Sequence, residues 1–224
     1  MEIEAISLSL RVALWAVACS LPPGILAAWL LSRRSFPGKV VLDALIHLPL
    51  VIPPVVTGYL LLILLGRRGV LGAWLWNTLG IRFAFNWKGA ALAAAIMAFP
   101  LLVRAVRLSF DSVDRKLEEA ARTLGSSRIN TFFTVTLPLA MPGVLTGAIL
   151  AFARSLGEFG ATITFVSNIP GRTQTLPLAL YTLTQVPDGE TGALRLCILS
   201  MIIAMTALVL SEILSRRFAA RMRG

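Results

Sequence analysis

Reactive side chains are scarce in this chain. It has a single histidine, His47, and two cysteines, Cys19 and Cys197. His47 has no evident nucleophile partner, so a Ser/His/Asp constellation is absent. Two cysteines make no disulfide framework, and neither has metal-ligand spacing; both read as packing residues. No Gly-x-x-x-x-Gly-Lys-Ser/Thr run is present, so ATP is not bound by that route. Charge is thin as well: 14% of residues are charged, against about a quarter in a soluble domain. These shortages exclude most enzyme classes, and no cofactor or metal is expected.

Apolar length is what the chain has instead. Of 224 residues, 57% are hydrophobic, and the mean hydropathy is +0.81. That composition describes an all-α integral membrane protein with one domain over 1–224. The net charge of +10 lies in short patches flanking apolar runs, without interleaved aromatics. This pattern fits the positive-inside rule rather than a nucleic-acid surface.

A membrane helix needs about 20 mostly apolar residues. Five segments qualify, at about 8–31, 40–65, 87–108, 139–165 and 194–214. The opening Met1-Glu2-Ile3-Glu4 lacks the positive charge of a secretory signal, so the first segment reads as a retained span. A shorter apolar piece, 70–79, suits an interfacial or re-entrant helix. A further short helix is expected over 176–185.

Arg33, Arg34, Lys39, Arg104, Arg107, Arg115, Lys116, Arg122, Arg128, Arg216, Arg217, Arg221 and Arg223 fall on one side of these spans. Arg11, Arg67, Arg68, Arg82, Lys88, Arg172 and Arg195 fall on the other. The larger set faces the cytoplasm. The N-terminus is then outside, the C-terminus cytoplasmic, and the loop 114–138 inside. The outer loop with Arg67, Arg68, Arg82 and Lys88 is unusually basic for that side.

The loop 114–138 is the long polar stretch. Asp114 suits an N-cap. Leu117, Ala120, Ala121 and Leu124 share one face of a short helix. Gly125 suits its left-handed end. Ser126 or Ser127 then caps a second helix carrying Ile129, Phe132 and Phe133, and Pro138 marks a boundary. Within the spans, Pro49, Pro53 and Pro54 break the second, either as a packing kink or as lining of a pathway. His47, just before that break, suits a hydrogen-bonded structural residue or a direct participant. In the fourth span Gly143, Gly147, Ala151 and Ser155 recur every four residues, which lets another helix approach. Arg154 and Glu158 sit four apart, past the membrane midplane. They suit either a structural ion pair or a pathway element.

Glu119-Ala120-Ala121, then Gly125, then Leu137-Pro138 resemble the EAA loop of ABC-importer permeases. The run Ser155-Leu-Gly-Glu-Phe-Gly-Ala161 narrows the resemblance, together with Asn168-Ile-Pro-Gly171 and Thr175-Leu-Pro-Leu178. So do Phe36-Pro37-Gly38-Lys39, His47-Leu-Pro-Leu-Val51, Gly66-Arg67-Arg68-Gly69 and Phe83-Ala84-Phe85. Nearly the whole chain is similar to permeases of molybdate importers, with sulfate and tungstate permeases as relatives. The resemblance implies a MetI-like type I importer fold, with about five transmembrane helices plus cytoplasmic coupling helices. It implies a homodimer in the inner membrane of a bacterium, two copies of a separate ATPase subunit and an extracytoplasmic oxyanion-binding protein. It places ATPase coupling on Glu119, Ala120, Ala121, Leu124 and Gly125. Pro53, Pro54, Arg154, Ser155 and Glu158 become candidates for the translocation path or an intramembrane pair. A self-sufficient secondary transporter is the competing class. It would need a coupling-ion site near the midplane, where Glu158 is the one mid-chain acid.

Overall fold

In the computed structural model, residues 2–221 are described, with side chains described for 2–210, Glu212 and Ile213. Arg223 lies outside them, as do the side chains of Arg216, Arg217 and Arg221. All regular elements among the described residues are helical.

The bundle is built around α5 (Trp87–Ser112). One long face of α5 is alanine: Ala90, Ala93, Ala94 and Ala98 are almost wholly buried. Lipid supplies no hydrophobic drive between helices, so small residues that let backbones approach take over that role. Against α5 lie α1 (Glu2–Arg33) and α8 (Leu137–Leu156). Gly24 of α1 admits the Leu102 side chain of α5. A Cβ on Gly147 would sit 3.0 Å from the Leu102 carbonyl, and one on Gly143 would collide with Ser109. The four-residue stripe therefore serves the close approach that its spacing implies. A larger-residue layer of Leu31, Leu102, Val103, Val106 and Phe110 closes the core at the other end of the same helices.

Among the described residues, four helices are long and apolar enough to span: Glu2–Arg33, Trp87–Ser112, Arg128–Leu156 and Glu190–Leu210. The last belongs to α11 (Glu190–Arg221). A fifth comes from α2 (Lys39–Val51) and α3 (Pro54–Leu65) taken together, bent by 113°. The expected second span is thus two helices meeting at Ile52-Pro53. Pro53 and Pro54 offer no amide hydrogens to continue α2, and Pro54 instead starts α3 where none is needed.

Two other boundaries differ from expectation. The fourth span is not one helix over 139–165. It stops at Leu156 and resumes as α9 (Gly160–Val166) after a break at Gly157-Glu158-Phe159. Pro138, in turn, does not end a helix. α7 (Arg128–Thr131) passes through a π-helical turn (Phe132–Thr136) straight into α8. The Leu137 amide donates five residues back to Phe132, and Leu137 keeps helical geometry. The wider turn makes room for a proline ring that an α-helical turn would exclude.

The short pieces appear as expected: α4 (Val70–Leu79) and α10 (Leu176–Thr184). α10 is tied to α1 by the Leu176 amide, which donates to Ser9 Oγ at 2.7 Å. Cys197 is half-buried, while Cys19 is exposed on the outer surface rather than packed inside.

Candidate functional site

The loop between α5 and α8 folds as a braced lever. Asp114 caps α6 (Arg115–Thr123), its carboxylate accepting the Lys116 amide at 2.9 Å. Gly125 takes φ +90°. Its amide donates to the Arg122 carbonyl at 3.0 Å, and the next amide, Ser126, donates to Ala121 at 3.1 Å. That paired bonding ends a helix on a left-handed residue. Ser127 then caps α7 by accepting the Asn130 amide at 3.2 Å.

Glu118 fastens this lever to the bundle. Its carboxylate pairs with Arg33, the last residue of α1, at 3.0 Å. It also accepts from Thr136 in the π-helical turn at 2.9 Å. Arg33 in turn donates to the Val113 carbonyl at 3.0 Å. Glu118 therefore faces inward, toward a cleft of about 230 Å³ shared with Arg115, Glu119 and Arg122, and Ala121 is half-buried beside it. Leu117 and Ala120 face away, and Leu124 is 88% exposed. Ile129 and Phe133 continue this uncovered apolar surface beyond Gly125. Of the four residues expected to share a face, Leu117, Ala120 and Leu124 do so, Ala121 turns partly inward, and the shared face turns away from the chain's own body. Burial of such surface is worth about 25 cal/mol per Å², and the chain's own body leaves this face uncovered.

The second constellation lies about 27 Å along the α7–α8 axis, counting from Thr136 to Arg154 at 1.5 Å per residue. Arg154 and Glu158 form an ion pair at 2.7 Å. Glu158 is 2% exposed, and its other oxygen accepts the Ala161 amide at 2.8 Å. One carboxylate thus closes the last turn of α8 onto Arg154 and caps the first turn of α9. Ser155, also buried, places its Oγ against no hydrogen-bond partner among the described residues. The two helix breaks meet here. A Cβ on Gly160 would stand 2.8 Å from Pro54 Cβ, and one on Gly58 would stand 2.5 Å from the Ala161 carbonyl. Pro54, Arg154, Ser155 and Glu158 are thereby gathered around the α3–α9 contact, while Pro53 stays on the exposed side of its bend.

His47 is hydrogen-bonded within α2. Its Nδ1 lies 2.8 Å from the Asp43 carbonyl oxygen and 3.2 Å from the Asp43 carboxylate. Asp43 also accepts from Arg107 at 3.0 Å, which ties α2 to α5. Among the described residues no His/Cys/Asp/Glu group is arranged to hold a metal.

Sequence reasoning missed Arg33, Glu118 and Thr136. Glu118 stands beside the Glu119 that the motif singles out, and periodicity offered a signal: 118 lies three before Ala121, at the edge of the apolar face. Arg33 and Thr136 are 85 and 18 positions from Glu118, beyond any local pattern. Five of the partitioned basic residues separate in space: Arg33 meets the 114–138 loop, while Arg11, Arg67, Arg82 and Arg172 line one cavity at the other end.

Residues 20–224 match the family described as "Binding-protein-dependent transport system inner membrane component". The chain is 62% identical over 215 residues to the molybdenum transport system permease protein ModB of Escherichia coli (strain K12), covering 96% of this chain and 94% of that protein. It is 38% identical over 203 residues to the sulfate transport system permease protein CysT of the same strain, covering 90% and 72%. In fold it is similar to a bacterial ABC transporter involved in the import of the acidic polysaccharide alginate. There the TM-score is 0.76 at 18% identity, over 96% of this chain and 79% of that one. It is likewise similar to the inward-facing MetNI methionine ABC transporter, with TM-score 0.72 at 15% identity, over 97% and 94%. The fold is that of a MetI-like ABC-importer transmembrane domain.

Proposed function

Because the chain belongs to the family of binding-protein-dependent transport system inner membrane components, we propose that it is the permease subunit of an ATP-driven molybdate importer. The observation that carries this reading is the lever 114–138. Its inner face is bolted to α1 and α8 through Glu118, and its apolar outer face is uncovered. A separate ATPase subunit is the partner for that face, with one copy per permease in a homodimer. Closure of the ATPase dimer on ATP drives the two levers together. The Arg33–Glu118 and Thr136–Glu118 contacts pass that motion to α1 and α8, and the spans rock to open outward. A loaded binding protein then delivers the oxyanion from outside, and hydrolysis reopens the path inward. This orientation keeps the N-terminus outside and the C-terminus and lever in the cytoplasm.

Molybdate is favoured over sulfate by the higher identity to the molybdenum permease. The secondary-transporter reading loses its ground, since Glu158 is already engaged by Arg154 and by the Ala161 amide. The test is oxyanion uptake by cells that depend on this chain. Uptake of labelled molybdate is expected to resist a tenfold excess of sulfate; sulfate uptake that resists molybdate would assign the chain to the sister class.

A further inference from the structure

The end of the bundle remote from the lever carries a cavity of about 730 Å³. Four arginines line it, each from a different segment: Arg11 from α1, Arg67 from the α3–α4 turn, Arg82 from the α4–α5 loop and Arg172 from the loop after α9. No acidic residue lines the cavity, and among the described residues none of the four pairs with a carboxylate. Arg33, Arg107, Arg154 and Arg195, elsewhere in the chain, all do.

Two of the four are held by aromatic faces. The Arg11 guanidinium sits 3.8 Å from the centroid of Trp87, and that of Arg82 sits 3.5 Å from Trp76. Stacking orients a guanidinium without using its N–H donors, so the forks stay free for an oxyanion. The wall between them includes Phe85, a bulky residue at φ +57°. Backbone strain of that kind persists where the surroundings over-determine it, and it clusters at ligand clamps. Converging like charge at this end also runs against the topology rule that places basic residues on the opposite side.

We infer that this cavity binds a phosphate-type oxyanion group, held by Arg11, Arg67, Arg82 and Arg172. Bidentate guanidinium recognition of tetrahedral oxyanions supplies the chemistry. Two sources carry that group: the headgroup of an anionic phospholipid, and a free oxyanion such as phosphate or molybdate. The apolar part of the wall, with Leu8, Ile81 and Phe83, suits a headgroup whose glycerol continues into lipid. The inference rests on the cavity alone and does not depend on the assignment of the transported ion.

The test uses the full chain purified in detergent. In one arm, native mass spectrometry counts phosphatidylglycerol retained against neutral phosphatidylethanolamine. In the other, phosphate and molybdate are titrated into lipid-stripped protein. The variants are Arg11→Gln/Arg82→Gln and, separately, Arg172→Gln, with Arg68→Gln, outside this cavity, as control. Each is checked for an unchanged thermal midpoint without ligand, and Arg172→Gln keeps the test open if the double variant fails to fold. We expect at least a tenfold loss of binding in one arm for the double variant, a severalfold loss for Arg172→Gln, and none for the control. Loss in the first arm identifies a lipid headgroup, and loss in the second a free oxyanion. Changes under twofold in both arms overturn the inference. So does a variant that weakens only docking of a binding protein, since the arginines would then serve a protein surface.

Discussion

Arg33, the last residue of the first helix, stands 3.0 Å from Glu118 on α6, with both side chains largely buried. The contact joins positions 85 apart, and under the proposed function it is where a partner's motion enters the bundle. Glu118→Gln keeps an acceptor for Thr136 but leaves the Arg33 charge without its counterion. Loss of a partly buried charged partner costs about 1–3 kcal/mol. The expected result is a lowered thermal midpoint and a higher ratio of ATP hydrolysed per ion transported. Arg33→Gln/Glu118→Gln is expected to regain most of the midpoint and none of the coupling. A coupling ratio unchanged in both variants contradicts the strut assigned here.

Gly125 separates conformational from steric effects. Nothing lies within 4 Å of a Cβ added there, but its φ is +90°. A branched side chain therefore costs roughly 1 kcal/mol or more through backbone strain alone. Gly125→Val is expected to insert and fold while losing most substrate-stimulated ATP hydrolysis in the assembled complex. Gly125→Asn, which tolerates left-handed geometry better, is expected to fall between the two.

Arg154 and Glu158 are coupled to backbone as well as to each other. Glu158→Ala removes both the ion pair and the acceptor for the Ala161 amide. The charge left behind, Arg154, is partly exposed, so losing its partner and the acceptor for the Ala161 amide costs about 1–3 kcal/mol, and folded yield should fall. Arg154→Gln/Glu158→Gln retains an acceptor for the amide and leaves no lone charge, and should recover folding. Uptake measured on that double variant sorts the roles: recovered uptake makes the pair structural, and low uptake with an active ATPase makes it part of the path.

The contact between the two broken helices is backbone-tight. A Cβ on Gly58 would meet the Ala161 carbonyl, which has no rotamer to escape into. Gly58→Ala is expected to lower the folded yield more than Gly147→Ala, whose nearest atoms stand at 3.0 Å or beyond. Equal yields would mean that α3 and α9 separate without cost.

Much of this was legible in the sequence, because membrane spans and caps are local. Run length marked five spans, Asp114, Gly125 and Ser127 marked the lever, and the four-residue spacing marked both the α5–α8 approach and the Arg154–Glu158 pair. What escaped was non-local or depended on a balance between neighbours. Pro138 is a helix breaker by its own chemistry, yet a π-helical turn at Phe132–Thr136 absorbs it. The run 139–165 is apolar apart from Arg154 and Glu158, so hydropathy gave no hint that Glu158 would cap a new helix instead of continuing the old one. The basic outer loop read as a blemish in the charge pattern until Arg11 and Arg172 joined it around one cavity.

Under the proposed function, this chain moves molybdate when a separate ATPase drives the 114–138 loop. The most direct measurement is molybdate accumulation in proteoliposomes holding the chain with its ATPase and a loaded binding protein. Accumulation is expected to need ATP and binding protein together and to be abolished by Gly125→Val at unchanged protein content. Accumulation by the chain alone, driven by an ion gradient without ATP, would contradict it.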